Sequence, residues 1–244
     1  MHRLKRSIGD RYHDVVEGSV RPCVLCTVPR AGIRTLIELF VDHPEIEFAC
    51  NYRRIYEDSI DLAGDTTALV CGHVPWEHML DIPAGGADYR LAAAMREMLR
   101  GPFVTTLRCP LRTTLTQRYA EAPLEPMCGV MGFVALSREI HRDDVVAIPI
   151  DTPMRDERIA DALRLWGLAV DADFMSLAAA RRRRRLGTLQ RLKGLRRAVG
   201  HYEACDMEWL HTHYAGELVQ LQRHEHELRP MFEAAGYDKL PWYS

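Results

Sequence analysis

The chain lacks any apolar run of the roughly eighteen residues that a membrane-spanning helix requires. It also lacks an apolar stretch behind its basic N-terminal residues, Met-His-Arg-Leu-Lys-Arg, so a secretory signal is not expected. Cysteine is scarce: seven residues, odd in number and scattered, give no disulfide framework. Cys23-x-x-Cys26 is the one close pair, and no second pair exists to complete a zinc site. On a strand, residues i and i+3 also point to opposite faces. A redox or metal role is therefore not expected of this pair. Cys23, Cys26, Cys71 and Cys109 fall in or beside predicted strands, where free cysteine acts as a small hydrophobe. A reducing cytoplasm fits this usage best. Overall charge is scarce too, at −2, and by itself points to no class of partner.

What is present suits a single α/β domain with an appendage. The chain has 244 residues, 47% hydrophobic and 27% charged, which is ordinary for a globular protein and enough for a proper core. The charge is unevenly placed. Residues 181 to 197 hold nine Lys or Arg and no acid, so the remainder carries −11. Arg181 to Arg185 are consecutive; they suit a solvated face, or they steer an acidic acceptor, nucleic acid or anionic lipid.

Periodicity predicts strands over about 21–28, 66–72, 102–108 and 145–150. It predicts helices over about 32–42, 91–99, 111–120, 133–141 and 154–166. Residues 123 to 132, with two Pro and two Gly, read as a loop. Strands alternating with helices predict a parallel sheet flanked by helices on both faces. Residues 1–180 form that domain. Residues 181–244 add a basic segment and a helical extension packed on it. Met207, Leu210, Tyr214, Leu218, Leu221, Leu228 and Phe232 predict one long amphipathic helix over 203–232, facing the domain or a second copy of the chain. Pro241-Trp-Tyr-Ser244 reads as a terminal anchor. His211, His213, His224 and His226 lie on the long helix, but i and i+2 do not share a helix face, so no zinc site is expected.

The stretch Cys23-Val-Leu-Cys-Thr-Val-Pro-Arg-Ala-Gly-Ile-Arg-Thr-Leu36 carries the chemistry. It reads as strand, tight loop, helix. Amide N–H groups at a helix start, together with the helix dipole, attract anions. Arg30 and Arg34 bring two cations to the same place. The reading is a phosphate or sulfate site; the plainer alternative is a βα turn with an exposed Arg. Phe103 to Tyr119 repeats the pattern, with Arg108 at the strand end. His73 follows the strand Ala68 to Cys71. Arg30, His73 and Arg108 thus all lie at or past a strand C-terminus, the edge where such sheets bind ligands.

Together these stretches resemble the PAPS-dependent sulfotransferase family, over roughly residues 20 to 170. Pro29-Arg-Ala-Gly-Ile-Arg-Thr35 is similar to the family's 5′-phosphosulfate loop. Arg108 and Thr116, eight residues apart, resemble its 3′-phosphate motif, with Thr in place of Ser. Ala68-Leu-Val-Cys-Gly-His-Val-Pro75 resembles its strand ending in a catalytic histidine. Val145 to Asp151, and the helix ending at Leu165-Trp-Gly-Leu168, resemble its late strand and short helix. Lys193-Gly194 is faintly similar to its late basic-glycine loop.

The resemblance implies a parallel-sheet fold of the P-loop sulfotransferase type. It implies PAPS as co-substrate, adenosine 3′,5′-bisphosphate as product, and no metal. Donor contacts would come from Arg30, Ala31, Gly32, Ile33, Arg34, Thr35, Arg108, Thr116 and Lys193. Arg30 would also stabilise the leaving phosphate, and His73 would be the general base. The acceptor would be a hydroxyl of a carbohydrate or small molecule, with Asn51, Arg53 and Trp76 near it. The loop departs from the family pattern at Ala31, Ile33 and Arg34, where hydroxyl residues are usual; Arg34 can grip phosphate bidentately instead. Two other readings stand beside this one. A degenerate sulfotransferase fold could serve as a binding or assembly module. A P-loop kinase would need Gly-x-x-x-x-Gly-Lys-(Ser/Thr), whose first Gly, Lys and hydroxyl are missing here.

Overall fold

The structure, a computed structural model, describes residues 20–28, 31–46, 48–51, 66–72, 80–81, 90–91, 96, 99–118, 127–140, 143–150, 156–180 and 207–243. A five-stranded sheet forms its centre. The strands are β1 (Val20–Cys26), β2 (Phe48–Asn51), β3 (Thr66–Gly72), β6 (Phe103–Leu107) and β7 (Val145–Pro149). Their order is β2-β3-β1-β6-β7, and every neighbouring pair is parallel. Two short antiparallel strands, β4 (Leu80–Asp81) and β5 (Arg90–Leu91), pair separately. The expected α/β architecture, a parallel sheet between helical layers, is what the chain adopts.

Strand alternation divides the core into two faces. Cys23 and Leu25 of β1, Val104 of β6 and Ile148 of β7 face one side. There they meet α1 (Ile33–Phe40), α4 (Asp156–Leu165) and α5 (172–180), through Leu36, Phe40, Ile159, Leu163 and Phe174. Val24 and Cys26, with Phe103, Leu107 and Ala147, face the other side. Cys23 and Cys26 thus point into opposite layers, as the period of two requires. Burial pushes the Cys26 thiol up to about 12, so it is held as a neutral hydrophobe.

Helix α4 ends in a Schellman motif. Gly167 has φ +66°, the Leu168 amide donates to Leu163 O (2.8 Å) and the Gly167 amide to Arg164 O (2.9 Å). That turn brings Leu168 and Ala169 to His43. His43 is buried, with Nε2 2.9 Å from Ala169 O and Nδ1 accepting from the Glu45 amide (3.2 Å). The imidazole therefore donates through Nε2, and it locks the end of α1 to the segment after α4.

Several sequence expectations change. Helix α2 (Pro110–Arg118) lies where expected, but α3 (Met127–Ser137) begins well inside the expected loop and runs through Gly129 and Gly132. Val130 to Leu136 are all buried, so α3 is a core helix with no polar face to reveal its period. Arg90–Leu91 is strand rather than the start of a helix; most of 92–99 lies outside the described residues. The tail is three helices rather than one: α6 (Met207–His213), α7 (Ala215–Arg223) and α8 (Glu225–Ala234). Breaks fall at Tyr214 and His224, whose ψ values of 41° and 15° are not helical. Met207, Tyr214, Leu221 and Leu228 repeat every seven residues. A straight helix drifts about 20° per such repeat, and the two breaks restore the apolar face to the sheet.

That face packs on α3 and β6 within the chain's own core, through Leu210, Tyr214, Leu221, Leu228, Met231 and Phe232. Of the two expected dockings, the stripe thus takes the one on the chain's own domain. An ion pair reinforces the docking: Arg138 Nε donates to Glu227 Oε2 (2.7 Å), and His224 Nδ1 lies 2.8 Å from Oε1. The Arg138 bond, then that from His224, holds the Glu227 carboxyl below the usual range.

Candidate functional site

The site is built by the topology. From β1 the chain crosses toward the β3 side of the sheet; from β6 it continues toward β7. The two connections diverge and leave a crevice beyond the carboxyl ends of β1 and β6. Such a switch point is where open α/β sheets take ligands. The registers are level there, with Cys26 paired to Gly72 on one side and Leu25 to Val104 on the other.

Each wall starts a helix. On the β1 side the Ala31 amide donates to Val28 O at 3.0 Å, closing the loop on its strand. Gly32 then caps α1 with φ +99° and ψ 18°. It has no side chain to occupy the cap, and α1 has no acid in its first turn. The first amides of α1 have no carbonyl within the helix, and the dipole adds positive potential. Gly32 is required on two counts. Its φ is left-handed, and a Cβ would sit 2.9 Å from Ile150 Cγ2. Gly32 therefore packs closely against Ile150, the residue after β7. Gly32→Ala should lower folding stability by about 1–3 kcal/mol. A thermal or urea melt checks this; an unchanged midpoint would show that the loop is not held in this conformation.

On the β6 side Arg108 is half-buried, directly past the strand. Pro110 opens α2, where its missing N–H is no loss. The Thr113 amide and hydroxyl both donate to Cys109 O, at 3.0 and 3.2 Å, and tie the helix start to the strand end. This helix also has no acid in its first turn.

Of the residues expected here, Ala31 and Ile33 have buried side chains, on opposite sides of the sheet. Ile33 could meet a ligand only through its amide, while the Ala31 amide is already given to Val28 O. Arg34 and Thr35 have backbones in the first turn of α1, and Thr116 lies in the second turn of α2. Arg30, His73 and Lys193 lie outside the described residues, as do Arg53, Trp76 and the 181–197 segment. The strands that Arg30, His73 and Arg108 follow are nevertheless fixed. They are β1, β3 and β6, three contiguous parallel strands spanning about 10 Å.

One pair escaped the sequence reading. Thr27, just past β1, and Thr106, in β6, are buried between the two walls (1% and 0% exposed). Their hydroxyls bond each other, and Thr27 Oγ1 lies 3.3 Å from Thr106 O. A lone Thr in an apolar run carries no signal; the pair is visible only once β1 and β6 are neighbours.

Among the described residues there is no cluster of three or more His, Cys, Asp or Glu that could hold a metal ion. Among them, too, no helix is long and apolar enough to cross a membrane. No protein-family model matches the chain, and neither does any curated protein. Among solved structures, the chain is similar to mouse sulfotransferase SULT7A1 complexed with PAP, with 12% identity over 73% of this chain and 70% of that one, at a TM-score of 0.43.

Proposed function

We propose that the chain is a PAPS-dependent sulfotransferase that moves a sulfuryl group to a hydroxyl of a carbohydrate or small-molecule acceptor. The observation that carries this is the contiguity of β3, β1 and β6. Three residues singled out by their chemistry follow three adjacent strands on one edge of the sheet. In this reading the α1 amides and Arg30 hold the 5′-phosphosulfate. Arg108 and Thr116, with Lys193, hold the 3′-phosphate. His73 takes the acceptor hydroxyl proton as the new oxygen–sulfur bond forms. The bond from sulfur to the bridging oxygen breaks, and charge grows on the leaving phosphate. In this reading Arg30 and the helix dipole stabilise that charge. Magnesium has no part in the scheme, unlike a P-loop kinase.

A second reading draws on Ala31 and Ile33. Both side chains are spent in the core. A loop that offers amides and guanidinium groups but few hydroxyls suits a module that binds the nucleotide without turnover.

Arg108→Ala tests the site. Hydrogen bonds to charged groups contribute roughly 1.5–3 kcal/mol each, so affinity for adenosine 3′,5′-bisphosphate should fall about ten- to hundredfold with little change in melting temperature. A melt lowered as by a core substitution, with affinity intact, would make Arg108 a structural residue.

A further inference from the structure

We infer that the Thr27–Thr106 hydroxyl pair is a positioning clasp, which sets the separation of the two anion-binding walls of the crevice. The inference rests on the nucleotide reading above, and extends it to residues that touch no ligand. Thr27 leads directly into the loop that ends at Gly32 and α1. Thr106 stands two residues before Arg108. The hydroxyls thus join the two walls two residues beyond Leu25 and Val104, the last paired positions of β1 and β6.

The hydrogen bonds are internally complete. Thr106 Oγ1–H donates to Thr27 Oγ1, and Thr27 Oγ1–H donates to Thr106 O at 3.3 Å. Both side chains are buried and face the α1 layer, on the same side as Cys23, Leu25 and Val104. Neighbouring inward positions in that layer are apolar. Valine would fill either place with the same shape, and replacing both partners of a buried hydrogen bond by isosteric apolar groups is close to neutral for stability. Folding alone therefore does not call for two hydroxyls here. What they supply is direction: a hydrogen-bonded pair fixes the relative slide of two strand ends, which apolar contact leaves free. A site holding two charged groups on separate walls needs that, because a misplacement of about 1 Å can cost about a hundredfold.

The test is the double variant Thr27→Val/Thr106→Val, titrated with adenosine 3′,5′-bisphosphate by calorimetry beside its melting curve. The clasp predicts a melting temperature close to wild type and an affinity lower by roughly ten- to hundredfold. Thr27→Ser, which keeps the hydroxyl, should bind nearly as wild type. If wild type binds and the double variant binds equally well, the clasp is refuted while the nucleotide reading stands. If the double variant loses stability and affinity together, and Thr27→Ser does the same, the pair is structural and the inference fails. If wild type itself does not bind, the nucleotide reading falls first and takes the clasp with it.

Discussion

Trp242→Ala should destabilise the fold by about 3–5 kcal/mol, the range for emptying a core aromatic site. Trp242 is 0% exposed although only two residues follow it in the sequence. Its ring meets Phe232 edge-on, with centroids 5.3 Å apart at 90°. Its carbonyl lies 2.5 Å from His211 Nε2, which pins the last turn to α6. The segment reaches this place through a second Schellman motif. Gly236 has φ +88°, the Tyr237 amide donates to Phe232 O (3.1 Å) and the Gly236 amide to Glu233 O (2.9 Å). Tyr237 then directs its hydroxyl at the Leu107 carbonyl, 3.4 Å away, at the end of β6. The tail is therefore a support for the strand that presents Arg108. Urea unfolding would measure the loss. A decrease below about 1 kcal/mol, the range of a surface substitution, would mean that Trp242 does not occupy this core.

His73→Ala should lower turnover by about 10²–10⁴-fold while leaving donor affinity nearly intact. His73 is the residue after β3, whose last residue, Gly72, is paired with Cys26 of β1. β3 thus ends beside β1, the strand that leads toward Gly32 and α1. Moving an alcohol proton near neutrality calls for a base of pKa around 6.5, which imidazole supplies unaided. His73→Gln keeps a hydrogen-bonding group but cannot take the proton, and should be almost as poor. Steady-state kinetics with an acceptor decides the matter. Loss of activity in Glu77→Gln or a His78 variant, with His73→Ala active, would move the base along the chain and leave the enzyme class intact.

Much of the fold is legible because the strands that build the site are long and apolar. β1, β3, β6 and β7 announce themselves by β-branched runs, and Pro29, Gly32 and Pro110 mark where the chain leaves them. What stays hidden has physical causes. β2 is a four-residue edge strand, Phe-Ala-Cys-Asn, too short to show a period. α3 is buried all round, so it has no polar side to contrast with its apolar one. The tail has the right apolar stripe, but its heptad drift, and the breaks that correct it, become meaningful only against the sheet it covers.

The site divides in the same way. Arg108 and the Gly32 cap follow from local chemistry. Ala31 and Ile33 read as ligand contacts by position, yet their side chains belong to the core. The Thr27–Thr106 pair joins residues 79 apart and has no local signature.

The most direct test of the anion-site account is calorimetric titration with adenosine 3′,5′-bisphosphate in the presence of a metal chelator. The account predicts saturable, one-to-one binding that added magnesium does not strengthen. No binding at millimolar ligand, alongside magnesium-dependent binding of a nucleoside triphosphate, would contradict it.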